Sequence, residues 1–205
     1  RRQLYVRNGD IKQYDYRPVL FASTGVRRGV IGGGKGRALE RRGLNKVFTH
    51  MIGSSTGAAS GQFMPGGQIA QCIDLYWNEA ASREFISFRR FLDGRAVQDT
   101  RFLTEAFRRR LDLKAFYASR VEFHVGVTCA RTGEGRFLNA RRPDMHPADF
   151  VRASMSIPGL CGGPVYIDGH PYYDGGGAMG MPACEIAEEF SPTDLLIFAN
   201  CPNDE

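Results

Sequence analysis

Five residues, Gly53-Ser54-Ser55-Thr56-Gly57, join the apolar stretch ending Met51-Ile52 to the small-residue run Ala58-Ala59-Ser60. A Gly-x-Ser-x-Gly run between a strand and a helix describes a sharp turn that lifts the central serine above the edge of a sheet. Gly53 and Gly57, two positions to either side, leave room for a strained backbone and let the next helix pack closely. The helix start also brings unpaired N–H groups and the positive end of the helix dipole beside the hydroxyl. Such a turn needs a strand before it and a helix after it, which restricts the chain to folds that alternate the two. Glycine and serine are common in ordinary turns as well, so Ser55 requires a base before the pattern means chemistry.

The rest of the chain supplies that alternation. Apolar runs with flanking turn residues predict strands over residues 19–22, 46–52, 121–130, 136–139, 165–167, 171–173 and 194–199, the last of them buried. Helices are predicted over residues 29–42, from 58 onward, and over 68–80, 100–111, 148–154 and 182–190. Leu103, Phe107 and Leu111, four apart, mark the clearest one, within a mostly helical and basic span from 82 to 118. Gly43 ends the first helix, whose own four glycines, at about 1 kcal/mol each relative to alanine, argue against it. Asp168-Gly169-His170 and residues 131–135 read as hairpin turns. Strands alternating with helices predict an α/β sandwich with a largely parallel sheet. Residues 1–16 read as a polar surface arm and residues 17–205 as one domain.

Composition narrows the function. At 42% hydrophobic and 24% charged residues the chain has the material for a core. Its net charge of +5 gathers in arginine runs such as Arg27-Arg28, Arg89-Arg90 and Arg108-Arg109-Arg110. A basic surface attracts anionic membranes, nucleic acids or acidic substrates. No nucleic-acid module accompanies these arginines, so a peripheral contact with an anionic membrane is expected and nucleic acid is not. Cys72, Cys129, Cys161, Cys184 and Cys201 are scattered and odd in number, which fits neither a metal site nor a disulfide framework. His50, His124, His146 and His170 are isolated and read as structural. No metal or cofactor is expected. No apolar run reaches the roughly 18–20 residues of a membrane span, and no leader is recognisable. A reducing, cytoplasmic setting follows. The start at Arg1 and the stop soon after an apolar strand suggest an excerpt of a longer chain.

The base for Ser55 is the next question. An α/β-hydrolase runs serine, acid, histidine, but no histidine follows Asp174. His170 would have to pair with Asp168 or Asp144 from inside a hairpin turn. Tyr172-Tyr173-Asp174-Gly175-Gly176 offers another solution. A strand ends in an aspartate, and glycines then free the backbone around it. A carboxylate there could take the serine proton directly if water is removed and its pKa rises; a solvated Asp-Gly turn is the alternative. One rival pattern, Gly29 to Lys35, fits the phosphate-binding Gly-x-x-x-x-Gly-Lys but ends in Gly36 where a metal-binding hydroxyl belongs.

Several blocks together resemble the patatin-like phospholipase family, particularly its bacterial branch. They are residues 19–43, residues 48–59 with Ile52-Gly-Ser-Ser-Thr-Gly-Ala58, residues 125–135 with Thr132-Gly-Glu134, Arg152-Ala-Ser-Met-Ser-Ile-Pro158, Ile167-Asp-Gly169 and Tyr172-Tyr-Asp-Gly-Gly176. The resemblance implies a three-layer α/β/α sandwich. It also implies a Ser55–Asp174 dyad without histidine, acting on an acyl lipid or phospholipid through an acyl-enzyme. The family's oxyanion loop, Gly-Gly-Gly-x-Arg-Gly, falls on Thr24-Gly25-Val26-Arg27-Arg28-Gly29, where Gly25, Arg28 and Gly29 match. Gly25, Val26 and Arg28 are then the expected oxyanion-hole positions. The two lost glycines raise a second reading, a binding domain that holds lipid or a protein partner through its basic face.

Overall fold

The structure, a computed structural model, describes residues 2–7, 10–25 and 28–200, and their side chains from residue 15 onward. A seven-stranded sheet carries the fold, in the order β7-β8-β5-β4-β3-β9 with β6 also on β5. The strands β3 (Pro18–Ala22), β4 (His50–Ser54), β5 (Glu122–Cys129) and β9 (Asp194–Phe198) run parallel. The strands β6 (Gly135–Asn139), β7 (Val165–Ile167) and β8 (His170–Asp174) form an antiparallel flank. In the segment read as an arm, β1 (Arg2–Arg7) and β2 (Asp10–Asp15) pair as a separate antiparallel ribbon.

Side chains alternate across a pleated strand, and here the alternation divides two cores. Leu20, Ala22, Met51, Phe123, Val125 and Val127 face a large cluster. Its helices include α1 (Gly29–Arg41), α2 (Thr56–Gly61), α3 (Ile69–Asn78), α5 (Thr100–Arg110), α6 (Leu113–Ala118) and α7 (Pro147–Ser154). Val19, Phe21 and Ile52 face the other way, onto Ile186 of α8 (Ala183–Phe190). Between α3 and α5 lies the short α4 (Phe88–Leu92), whose residues are not buried.

Three expectations shift. The strand expected from residue 46 begins at His50, because residues 44–46 coil into a 3-10 turn whose Asn45 side chain donates to the Met64 carbonyl at 3.1 Å. The last strand is the sheet edge rather than a buried strand, with Asp194 and Leu196 exposed and Phe198 buried. The glycine-rich stretch is helical despite its propensity. Buried Gly29, Gly32, Gly33 and Gly36 form a bare stripe on α1, where Gly29 lies against Tyr76 and Thr56 and Gly36 against Ile69 and Met64. Packing outweighs intrinsic preference there, and Gly43, at φ 67°, closes the end as expected.

Candidate active site

The turn after β4 has the strained form its sequence predicts. Ser55 sits at φ 54° and ψ −123°, 5% exposed, a conformation that costs a non-glycine residue about 1–3 kcal/mol. Its surroundings hold it. The Ser55 N–H donates to Ser154 Oγ at 2.7 Å, and that hydroxyl donates to the Gly126 carbonyl at 2.6 Å. On the other side, the Ser55 carbonyl accepts from the N–H groups of Ala58 and Ala59 at 3.0 and 3.1 Å, which starts α2. A β-carbon on Gly53 would come within 2.5 Å of Ala58 Cα, and one on Gly57 would overlap the Ala22 carbonyl. Both flanking glycines therefore serve close approach.

Asp174 reaches the same end of the sheet through β5. That strand has three partners and only two edges. β6 pairs with residues 124–128 along one edge, so β4 and β8 must share the other. β4 stops at Ser54, opposite Gly126, and β8 takes over at the next residue, with Asp174 opposite Val127. The aspartate thus ends just beyond the serine turn. Its backbone is fixed by its N–H donating to the Ser156 carbonyl at 3.0 Å and its carbonyl accepting from Thr128 Oγ1 at 2.7 Å. Carboxylate Oδ1 accepts from the Gly176 N–H at 2.8 Å, while Oδ2 is buried with no partner among the described residues. Burial pushes the Asp174 carboxyl above the ordinary carboxylate range, and the Ser55 hydroxyl and the Gly176 N–H act in the opposite direction. Among the described residues the Ser55 hydroxyl and the Asp174 carboxylate make no hydrogen bond. Gly175 lies against the Gly126 carbonyl and Ser54 Oγ, and Gly176 against Thr24.

Ala22 is in register with Gly53, so the loop leaving β3 runs beside the serine turn and contains Gly25. Asn200 pins it, donating from its backbone to Ser23 Oγ at 3.1 Å and from Nδ2 to the Ser23 carbonyl at 2.9 Å. Gly25 packs against Asn200, where a β-carbon would approach to 2.7 Å. The Arg28 N–H donates to the Gly25 carbonyl at 2.8 Å, closing a turn, and its side chain is exposed. Val26 lies outside the described residues. Ser154 and Asn200 escaped the sequence reading, although Ser154 stands within the block from Arg152 to Pro158.

The competing sequence signals separate from this site. The Gly29–Lys35 pattern lies inside α1 and forms no loop to cradle a phosphate. Asp168 is engaged by Arg142, which also binds Asp144. Neither acid is left to orient His170, which is exposed at the opposite end of β8.

Ser55 opens onto a cavity of about 480 Å³ between α3, α5 and the chain after α3. Its wall is mainly apolar, including Leu75, Phe85, Leu103, Phe107 and Ile157. Cys72 and Tyr76 also line it. Burial pushes the Cys72 thiol up to about 12 and raises Tyr76 as well. The Tyr76 hydroxyl is further engaged by Ser60 Oγ at 2.9 Å and the Thr56 carbonyl at 3.3 Å. No sequence pattern announces this cavity, because its wall is drawn from distant segments.

A crystal structure of VipD from Legionella pneumophila superposes with TM-score 0.50 at 12% identity, over 85% of this chain and 49% of that one. The ExoU–SpcU complex from the type III secretion system of Pseudomonas aeruginosa gives 0.46 at 15% identity, over 72% and 39%. The uncharacterized protein YjjU of Escherichia coli K12 is 27% identical over 199 residues, 92% of this chain and 55% of YjjU. The chain thus spans about half the length of that curated relative. The family model of patatin-like phospholipases matches residues 19–187, and the chain belongs to that family.

Proposed function

We propose that the chain hydrolyses acyl esters of lipids, with Ser55 as nucleophile and Asp174 as its base. The observation carrying this reading is the buried, unpartnered Oδ2 of Asp174 beside a serine in a strained turn at the mouth of an apolar cavity. Asp174 takes the proton as Ser55 Oγ attacks the ester carbonyl, and returns it to the departing alcohol. The acyl group stays on Ser55 with its chain in the cavity, whose size suits a small-molecule ligand. Water then gives a proton to Asp174 and attacks the acyl carbon; as the bond to Ser55 Oγ breaks, Asp174 returns the proton to that oxygen and the fatty acid leaves. The developing oxyanion would be met by N–H groups at the start of α2 and in the loop after β3. Phospholipids, lysophospholipids and simple esters all suit this chemistry. Among the described residues no helix is long and apolar enough to cross a membrane.

A second reading, a binding domain without turnover, is favoured by Thr24 and Val26 standing where the family's loop has glycine. The experiment pairs fluorophosphonate labelling with an acyl-ester panel on the parent, Ser55→Ala and Asp174→Ala. Labelling and turnover in the parent, with both lost in each variant and the fold intact, are expected. A losing combination is labelling that survives Ser55→Ala; a parent inert to probe and esters alike leaves the binding domain.

A further inference from the structure

We propose that a second cavity, lined by arginines and set behind α4, binds a phosphate group. This pocket of about 330 Å³ is bounded by Arg90, Arg95, Arg101 and Arg152, with Asp99 as its one carboxylate. Asp99 is already spent. Its Oδ1 accepts from the Phe102 N–H at 3.1 Å and caps α5, and its Oδ2 meets Arg90 at 3.4 Å. Arg90 in turn donates to the carbonyls of Glu84 and Phe85, each at 2.9 Å. The neighbouring Asp149 is held by Arg108 through both oxygens at 2.6 Å. Arg95, Arg101 and Arg152 make no ion pair among the described residues, and Arg152 Nε is buried without any partner.

Proteins rarely leave a partly buried charge uncompensated. Here the strain registers on Arg152, whose guanidinium is held below the ordinary arginine range, by burial first and by the charge of Arg101 second. Asp149 and Asp99 pull the other way without cancelling it. Arg95, Arg101 and Arg152 all line this pocket, and guanidinium groups are planar donor forks that match the oxygens of a phosphate, whose charge suits them better than a single carboxylate's. The position also matters. Gln98 lines both this pocket and the apolar one beside Ser55. On α4 nearby, Phe88, Phe91 and Leu92 are 77%, 66% and 83% exposed. A phosphate could therefore arrive on a lipid headgroup at a membrane surface, or on a soluble compound.

The test uses the Ser55→Ala protein, so that binding is read without turnover and independently of the proposed hydrolysis. Inorganic phosphate is titrated by calorimetry, and vesicles of phosphatidylcholine, with or without phosphatidic acid, are cosedimented. Binding of phosphate or of the phosphatidic acid vesicles is expected, weakened about tenfold or more by Arg152→Gln or Arg101→Gln, since each removes charged hydrogen bonds. Arg152→Lys should retain part of it. Arg109→Gln removes the same charge from an exposed position of α5 outside the pocket and should leave binding unchanged. Binding of vesicles alone assigns the headgroup, and binding of free phosphate alone assigns a soluble compound; either upholds the site. No binding of either ligand, or an equal loss in Arg109→Gln, overturns it. Circular dichroism guards against misfolding, and exposed Arg101 provides the variant least able to disturb packing.

Discussion

Ser154 is the support on which the serine turn rests, and its removal is the sharpest structural test of the site. The side chain is fully buried and bridges the Ser55 N–H at 2.7 Å to the Gly126 carbonyl at 2.6 Å. Ser154→Ala leaves a buried donor and a buried acceptor unpaired, each costing about 1–3 kcal/mol. Relaxation recovers some of that, so a loss of about 2–4 kcal/mol in stability is expected. The effect on chemistry follows from the same bond. Ser55 holds φ 54° against its own preference, and without its tether the turn drifts toward ordinary angles. A displacement of the nucleophile by about 1 Å can cost roughly 100-fold in rate. Urea unfolding measures the first effect. The rate of fluorophosphonate labelling, with kcat and KM on a soluble ester, measures the second, below the denaturing range. A positioning role predicts a fall in kcat with KM little changed, and partial recovery in Ser154→Thr, which keeps the hydroxyl. Stability within about 0.5 kcal/mol of the parent, together with parental labelling, would refute the reasoning and make the turn self-supporting.

Two further outcomes concern buried titratable groups. Asp174→Asn should abolish turnover yet stabilise the fold near neutral pH. A carboxyl whose folded pKa lies above its usual 3.8 contributes stability below that value and loses it as pH rises through the folded pKa. The melting-temperature gap between variant and parent should therefore widen from pH 4 to pH 7; a constant gap contradicts it. His124 acts in the opposite sense. Burial first, and the charge of His50 second, lower it from 6.5 to about 4, so the stability it provides is complete above pH 6.5 and fades toward pH 4. At about 1.4 kcal/mol per pKa unit, the loss approaches roughly 3 kcal/mol. Urea midpoints at pH 7 and 4.5 should separate steeply in the parent and less in His124→Gln; equal separation would count against the assignment.

The elements were legible wherever local chemistry agreed with packing. Asp168-Gly169 turns the β7–β8 hairpin with φ values of 49° and 75°, as its sequence asks. The segment of α5 with Leu103 and Phe107 buried follows its four-residue spacing. The positions of Ser55 and Asp174 were legible for a related reason: each sits between a strand end and glycines held in close backbone approach. What stayed hidden depends on long-range contacts. Leu196 reads as core in sequence but is exposed on β9, which among the described residues pairs with β3 alone. The engagement of the Arg28 N–H, the anchoring of the loop by Asn200 and the wall of the apolar cavity all join residues that no local spacing links. The glycines of α1 misled in both directions, resembling a phosphate loop and a poor helix, because their role is to admit Tyr76 and Ile69.

The absence of an imidazole beside Ser55 is a matter of topology among the described residues. His50 and His124 project from the sheet face that α8 covers, where both rings pack against Phe190 at 5.1 and 4.8 Å, whereas α2 and the cavity lie on the other face. His146 caps the start of α7 through Nδ1, seven or eight residues, or roughly 12 Å along the helix, from the Ser154 end that touches Ser55. His170 begins β8 and Asp174 ends it, a separation of roughly 13 Å in an extended strand. Each histidine is thus held away by the element that carries it. A carboxylate is a weak base when solvated, and burial is what strengthens it. Fixing Oδ1 on Gly176 while leaving Oδ2 unpartnered gives Asp174 one oriented oxygen for a proton. The β4-to-β8 handover along one edge of β5 brings the end of β8, with Asp174, next to the serine turn, as the proposed pairing of the two requires.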